Sequence, residues 1–332
     1  MQIRSDLSRR RFLGGALALG ATATLAACGY QEDTGGSGTS QAWSYTDDRG
    51  RKLGGDRPKR IVAQVTAAAA LWEFGIRPVG IFGPSKLPNG EKDPLAGPID
   101  LGKVQSLGNV WGEFNYDRYV SLEPDLLISV MYLRDELWYV PAEQAEAVEK
   151  AAPTLGVDLA GVSMPDGIEK FRTLAKALGA DVNTPRINEA KATFERAGQN
   201  FADAAKTVNG KTALLVSATK EGMWAGNAQG FPSSKQMAEA GLTFLEPKAP
   251  GDGNYWEQLS WENAGKYRSD IILLDNRHGN LQSEQLKASY PTWRQLPAVR
   301  AGNVFAWNPE TPFYYEAATE QLDRLGSSLR TV

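Results

Sequence analysis

Residues 185–208 read PRINEAKATFERAGQNFADAAKTV, and this stretch decides how the chain is organised. Its apolar residues recur at steps of three and four, which places them on one continuous face of a helix. These residues are Ile187, Ala190, Phe194, Ala197, Phe201, Ala204 and Val208. Because the stretch is long and separates two segments of domain size in a chain of 332 residues, it predicts a rigid helical connector.

The segment before the connector alternates between apolar strands and helices. Strands are predicted over residues 61–63, 78–82 and 125–130, and helices over residues 66–74 and 115–122. A further helix predicted over residues 167–179 belongs to the connecting middle segment. Gly75, directly after the first of these helices, is typical of a helix C-terminus. Strands that alternate with helices predict a parallel α/β sheet.

The segment after the connector repeats this alternation. Strands are predicted over residues 212–217, 270–274 and 304–306, with a helix over residues 233–240. A last helix is predicted to begin at Thr311-Pro312, an N-cap residue followed by proline at the first helical position. Its packing face would consist of Tyr315, Ala318, Leu322, Leu325 and Leu329.

The first 27 residues have the features of an export signal. A basic cluster at residues 8–13, SRRRFL, leads into an apolar stretch at residues 12–27 that is too short and too weakly apolar for a stable transmembrane helix. The paired arginines indicate the Tat route, and an ordinary Sec signal with an extra arginine is the alternative. We therefore expect residues 1–27 to be a removable signal peptide.

Cys28 closes the apolar stretch in the sequence LAACG at residues 25–29, which resembles a lipobox. It is the only cysteine, so the chain can form neither an internal disulfide nor a cysteine-based metal site. We expect acylation of Cys28, with palmitate-type chains anchoring the protein at the outer face of the cytoplasmic membrane. Residues 28–43 are expected to form this lipidated N-terminus and a flexible, polar tether.

Charge and histidine content exclude two classes of partner. The formal charge is −3, and removal of residues 1–27, with four arginines and one aspartate, takes it to −6. No basic block follows the N-terminus, so no nucleic-acid partner is expected. A bare zinc or manganese site needs several histidine and carboxylate ligands, and His278 is the only histidine, so no resident metal or cofactor is expected.

Three further stretches carry a resemblance to a known family. They are residues 59–62 with 71–80, residues 108–128 with NYD at 115–117 and LEPDLLI at 122–128, and residues 256–273 with WEQLSWE at 256–262. In order and spacing they resemble the helical-backbone, or class III, periplasmic binding proteins, which serve ABC importers of ferric siderophores, haem and cobalamin. The resemblance covers roughly residues 44–330, nearly all of the chain after the tether.

The resemblance implies an α/β protein of two Rossmann-like lobes, each with a central sheet, joined by one long helix and enclosing a ligand cleft. The lobes would span residues 44–165 and 209–332, with the connecting helical segment at 166–208. The implied function is that of a monomeric, non-enzymatic binding protein that delivers a ferric siderophore to an ABC permease dimer and its ATPase. One acid on each lobe, Asp117 and Glu262, would dock to the permease, although Asp117 is one methylene group shorter than the family's usual glutamate.

Residues that follow predicted strands are the candidate ligand contacts, because ligands of open α/β sheets lie beyond the carboxyl ends of the strands. Aromatic faces suit a bulky chelate with apolar linkers, and a guanidinium suits its oxygen-rich metal centre. The candidates are Gln64, Trp111, Tyr132, Arg134, Trp138, Trp224, Arg277, His278, Trp307 and Tyr314. Arg134 and Arg277, one on each lobe, would bond the chelate directly.

Other cargoes and one other activity stay open from the sequence. The scaffold could carry haem, with His278 or a tyrosine as axial ligand, or a corrinoid such as cobalamin. A secreted hydrolase is a distant alternative, because no Gly-x-Ser-x-Gly elbow occurs and a serine triad would have to use His278. The sequence does not separate hydroxamate from catecholate siderophores.

Overall fold

A hairpin opens the part of the chain that the structure describes. The structure is a computed structural model that describes residues 42–332, so the predicted signal peptide, Cys28 and the predicted tether up to residue 41 lie outside the described residues. Strands β1 (Ala42–Thr46) and β2 (Lys52–Asp56) pair antiparallel. The buried carboxylate of Asp47 accepts hydrogen bonds from the backbone N–H of Arg51 within the hairpin (2.9 Å) and from that of Gly156 (3.0 Å), and the second bond fastens the hairpin to the following sheet.

The first half of the chain forms a five-stranded parallel sheet. Its strands are β3 (Ile61–Gln64), β4 (Gly80–Phe82), β5 (Gln105–Ser106), β6 (Leu126–Met131) and β7 (Thr154–Asp158), in the order β5-β4-β3-β6-β7. Its helices are α1 (Val65–Glu73), α2 (Tyr116–Ser121) and α3 (Ala145–Ala151), with 3₁₀ turns at Pro94–Ala96 and Ala142–Gln144. Strands β3 and β6 are buried along their whole length, as expected for a parallel sheet covered on both faces.

Two helices follow this sheet, α4 (Met164–Ala177) and α5 (Pro185–Thr207). Helix α5 begins at the predicted residue, because Thr184 Oγ1 accepts a hydrogen bond from the N–H of Ile187 (3.3 Å) and Pro185 opens the first turn. Six of the seven residues of the predicted face are buried, and Ala190 is half-buried against the core. The predicted helix and its packing face are confirmed, while the lobe boundaries at residues 165 and 208 stay predictions.

The second half forms another five-stranded sheet. Its strands are β8 (Ala213–Ala218), β9 (Met223–Gly226), β10 (Trp256–Leu259), β11 (Ile271–Asp275) and β12 (Val304–Trp307), in the order β10-β9-β8-β11-β12. Its helices are α6 (Pro232–Glu239), α7 (Ser283–Ser289), α8 (Pro291–Arg294), α9 (Pro297–Ala301) and α10 (Tyr315–Leu329), with 3₁₀ turns at Asp252–Asn254 and Trp261–Lys266. Strand β9 is antiparallel to both neighbours, so β10 runs in the same direction as β8.

Helix α10 begins at Tyr315 and not at Pro312, which corrects the sequence-based boundary. Thr311 does not act as the N-cap because its Oγ1 donates to the carbonyl of Asn308 (2.8 Å), which holds it in the preceding loop. Instead, the buried carboxylate of Glu73 at the end of α1 accepts a hydrogen bond from the N–H of Tyr315 (2.8 Å), and burial raises the pKa of Glu73. The first half of the chain therefore caps the last helix, whose predicted packing face is confirmed as buried.

Between residues 42 and 332, none of the helices is both long enough and apolar enough to cross a bilayer.

Candidate ligand-binding cleft

A cavity of about 960 Å³ lies between the two halves of the described chain. Its first wall comes from the loop after β4 (residues 84–97), from residues 109–110 after β5, and from Tyr139 after β6. Its second wall comes from the loop after β11 (residues 276–280) and from the segment that leads from β12 into α10 (residues 308–324). Each segment follows the carboxyl end of a strand, which is where open α/β sheets bind their ligands.

An aromatic group of four side chains, Trp111, Tyr132, Trp138 and Tyr139, borders the first wall. Trp111 packs edge-to-face on Trp138 (ring centroids 4.8 Å apart) and on Tyr139 (5.2 Å), and Tyr132 packs on Trp138 (5.3 Å). Trp111 is 58% exposed and its neighbour Val110 is 53% exposed, so the group offers apolar surface beside the cavity. Burial raises the pKa of Tyr139 to about 12, and its hydroxyl therefore stays a neutral hydrogen-bond donor at physiological pH.

Arg277 on the second wall is held by two carboxylates. Its Nε (3.1 Å) and Nη2 (2.7 Å) donate to Asp275, whose side chain is fully buried, and its Nη1 donates to Glu310. Burial disfavours the guanidinium charge, but Glu310 and Asp275 outweigh that effect and raise the pKa of Arg277 above its ordinary value. Arg277 thus lies at the cleft as predicted, with its donors already engaged by the protein.

Charged side chains of both signs line the cavity. The cations are Lys86, Lys92, Arg277 and Arg324, and the carboxylates are Asp93, Glu310 and Glu320. Asp93 on the first wall lies near His278 on the second: burial raises the pKa of Asp93, and the proximity of His278 opposes that rise. The two halves of the chain therefore bring charged groups together across the cleft.

Five of the other predicted contacts lie in or beside the cavity. Tyr314 and His278 line it directly. Trp111, Tyr132 and Trp138 belong to the aromatic group at its border. Tyr314 also approaches Gly97 on the opposite wall, where the backbone has a φ of 44° and a Cβ would lie 2.7 Å from the tyrosine ring. A residue with a side chain at position 97 would therefore push the walls apart.

Arg134 and Trp224 do not line the cavity. The Arg134 side chain is 96% exposed, and its nearest carboxylate is that of Asp135, with Nε 3.8 Å from Oδ2. Trp224 is half-buried on β9, where it pairs with Ser217 of β8. The expectation that Arg134 bonds the ligand from the first lobe is therefore not supported by its position.

Gln64 and Trp307 belong to the framework of the fold, so their positions do not support the predicted role as ligand contacts. The buried Gln64 caps α1, since its Oε1 accepts hydrogen bonds from the N–H groups of Thr66 (2.8 Å) and Ala67 (3.4 Å). Trp307 is fully buried, and its Nε1 donates to Ser233 Oγ (3.0 Å). Each residue is the last one of its strand, Gln64 in β3 and Trp307 in β12, and its side chain forms a hydrogen bond within the fold.

The cleft residues missed by sequence reasoning lie mainly in loops without an apolar period. Among the described residues they include Lys86, Asp93, Tyr139, Glu310 and Glu320. Tyr139 directly follows the predicted contact Trp138, and the loop at 84–97 directly follows a predicted strand. Their positions beyond strand ends, where open α/β sheets bind ligands, could therefore have identified most of these residues as cleft residues.

The two predicted docking acids lie on corresponding edges of the two sheets. Asp117 is exposed in the first turn of α2, and Glu262 is exposed in the first turn of Trp261–Lys266. Helix α2 follows β5, and the 3₁₀ segment Trp261–Lys266 follows β10. Both acids therefore lie toward the carboxyl edges of the parallel strands, as the cleft does. Hydrogen bonds from its own backbone N–H and from Ser260 lower the pKa of Glu262, which keeps it ionised.

Comparison with known proteins gives a consistent set of relatives. The family model described as periplasmic binding protein matches residues 65–311. The chain is similar to DesE, a ferric-siderophore receptor protein from Streptomyces coelicolor, with 34% identity, a TM-score of 0.81, and coverage of 87% of this chain and 98% of DesE. It shares the fold of the FhuD protein from S. pseudintermedius, with 21% identity, a TM-score of 0.61, and coverage of 88% and 99%. It is also 24% identical over 296 residues to the Fe(3+)-citrate-binding protein YfmC of Bacillus subtilis, covering 86% of each chain.

Proposed function

The chain belongs to the periplasmic binding protein family, and from this premise we propose that it binds a ferric siderophore in the cleft and delivers it to the permease dimer and ATPase of an ABC importer. Proteins of this family bind substrates and are not enzymes. One observation carries the proposal: a cavity of about 960 Å³ bordered by the aromatic group, in a chain similar over 87% of its length to a ferric-siderophore receptor protein.

The size and lining of the cavity favour a chelate over a bare ion. Pockets for compact organic ligands span about 300–1,000 Å³, and this cavity is at the upper end of that range. No group of three or more His, Cys, Asp or Glu residues between positions 42 and 332 could hold a metal ion. Iron would therefore enter as part of the cargo, with its ligands supplied by the siderophore.

Tryptophan fluorescence of the mature protein without Cys28 tests this proposal, because Trp111 and Trp138 border the cavity. The panel is a ferric hydroxamate, a ferric catecholate, ferric citrate, haem and cobalamin. Saturable quenching by a ferric siderophore at micromolar concentration or below is the expected result. Binding of haem alone, with a shifted Soret band, would move the assignment to His278 or a tyrosine as axial ligand. A folded protein that responds to none of the panel would refute the iron-chelate proposal.

The export signal and lipobox support the further proposal that Cys28 anchors the protein to the outer face of the membrane. The acyl chain would keep the binding protein near its permease, and a monomer would suffice for that task. Metabolic labelling with a palmitate analogue tests the anchor. Label on the wild-type chain but not on a Cys28→Ala variant is expected, and equal labelling of both would contradict it.

Charge reversal at the docking acids is expected to uncouple uptake from binding. Asp117→Lys and Glu262→Lys should each lower cellular uptake of the bound chelate by roughly fivefold, because complementary charge sets the register and rate of docking to a basic partner. Affinity for the chelate should stay within about twofold, because neither acid lines the cavity. Asp203→Lys on α5, an exposed acid paired with Lys206, is the matched control. Unchanged uptake in both docking variants would reject this surface.

A further inference from the structure

Among residues 42–332, no free positive charge lies in the inner part of the cleft. Arg277 is the one lining lysine or arginine that is not exposed, and its donors already contact Asp275 and Glu310. Glu310 is half-buried on the second wall and Asp93 is half-buried on the first. Tyr139 lines the same cavity as Glu310, Arg277 and Asp93. Arg277 is therefore paired with the carboxylates of Asp275 and Glu310, while Asp93 lines the opposite wall, so these four groups together carry a negative formal charge.

The other lining cations lie at the exposed rim. Lys86, Lys92 and Arg324 are all exposed, and the Lys92 ammonium donates to the carbonyl of Ile99 (2.7 Å). Exposed charges are screened over roughly 8 Å at physiological ionic strength. These side chains can attract an anion toward the opening, but they do not supply charge compensation where the ligand would be desolvated.

Ferric siderophores differ in charge according to their chelating groups. Three hydroxamates carry one negative charge each, which Fe³⁺ cancels. Three catecholates carry two each, which leaves the chelate with a charge of −3. Removing such a trianion from water is unfavourable unless cations pair with it, and like charges beside it add to the cost. Glu310 and Asp93 are the like charges in this cleft.

We propose that the cleft selects ferric tris-hydroxamates over ferric tris-catecholates, and that Glu310 determines this specificity. The inference rests on the proposed function, since it assumes a ferric siderophore in this cleft. Glu310 acts in two ways: its carboxylate repels an anionic chelate, and it occupies Nη1 of Arg277, a donor that an anion would otherwise receive. The neutral hydroxamate centre needs only hydrogen-bond donors, and the Tyr139 hydroxyl is one.

The test compares two probes, ferrioxamine E as a neutral cyclic tris-hydroxamate and ferric enterobactin as a trianionic tris-catecholate. Wild-type protein should bind ferrioxamine E about a hundredfold more tightly. Glu310→Gln should raise the affinity for ferric enterobactin about tenfold and change that for ferrioxamine E less than about threefold, because one repulsive charge is removed and Nη1 of Arg277 is then held by a neutral amide oxygen that an anion can displace more easily. Glu284→Gln, which removes the same charge from an exposed site on α7, should leave both affinities unchanged.

The outcomes separate this inference from the function on which it rests. Equal binding of the two probes by the wild-type protein would overturn the selectivity and leave siderophore binding standing. An unchanged ratio in a folded Glu310→Gln variant would overturn the role of Glu310. Binding of neither probe by folded wild-type protein would overturn both. The wild-type ratio tests the selectivity even if the variant is unstable.

Discussion

Arg277→Ala is expected to lower the free energy of unfolding by about 3 kcal/mol, because removing one partner of a buried ion pair leaves the other charge without compensation. The Asp275 side chain has no solvent exposure, and in the described part of the chain Arg277 supplies all three hydrogen bonds that its carboxylate accepts from side-chain nitrogens, two from Nε and one from Nη2. The backbone N–H at position 277 also donates to Asp275 (3.0 Å) and would persist in the variant. That remaining bond places the expected loss at the lower end of the usual range.

Urea unfolding of the ligand-free protein measures this effect, and Arg134→Ala is the matched control. The Arg134 side chain is 96% exposed, so its removal should change stability by less than about 0.5 kcal/mol. The double variant Asp275→Asn/Arg277→Ala should recover part of the loss, because it removes the uncompensated charge as well. Equal stability of wild-type protein and Arg277→Ala would show that Asp275 does not depend on its guanidinium partner. Ligand affinity of Arg277→Ala is informative only after this measurement.

Arg277 illustrates which part of the cleft could be read from the sequence. Its position after a buried strand was enough to place it at the cleft, since strand ends converge in an α/β sheet. Its partner Glu310 lies 33 residues away in a loop, and nothing local couples the two. Whether an arginine is free for a ligand depends on such tertiary pairing. The position of Arg277 at the cleft was therefore predictable from the sequence, but whether its guanidinium donors are free to bind a ligand was not.

Some strands and helices of the fold were predictable from the sequence, and others depend on tertiary contacts. The face of α5 and the buried strand β6 were predictable because their apolar residues repeat over a long enough window. Strand β2 reads KLGGD, which is typical of a turn, and it is held in place by Asp47 contacts to a distant strand. The antiparallel pair β9 and β10 has only four residues in each strand, too few to show an alternation. The antiparallel pairing of β9 with β10 depends on tertiary contacts and cannot be read from the local sequence.

Trp307→Ala is expected to lower the free energy of unfolding by about 3–5 kcal/mol, as is usual when a large aromatic side chain is deleted from a packed core. Trp307 is fully buried, and its ring packs on Phe231 (centroids 5.3 Å apart) and Trp256 (6.4 Å). Deletion would also leave Ser233, which is buried, without the indole N–H that now donates to its hydroxyl. Trp307, which the sequence proposed as a ligand contact, is thus expected to stabilise the fold.

Chemical unfolding and ligand titration of the same variants distinguish a role of Trp307 in core packing from a role in ligand binding. Trp307→Phe should recover part of the stability, because it restores most of the ring volume without the N–H donor. Trp111→Ala is the opposite case, since a side chain that is 58% exposed should contribute little to folding and more to chelate binding. Loss of affinity in a Trp307→Ala protein that is as stable as wild type would return Trp307 to the ligand site. Loss of stability with the affinity of the folded fraction unchanged would place it in the core, where its burial and its bond to Ser233 already locate it.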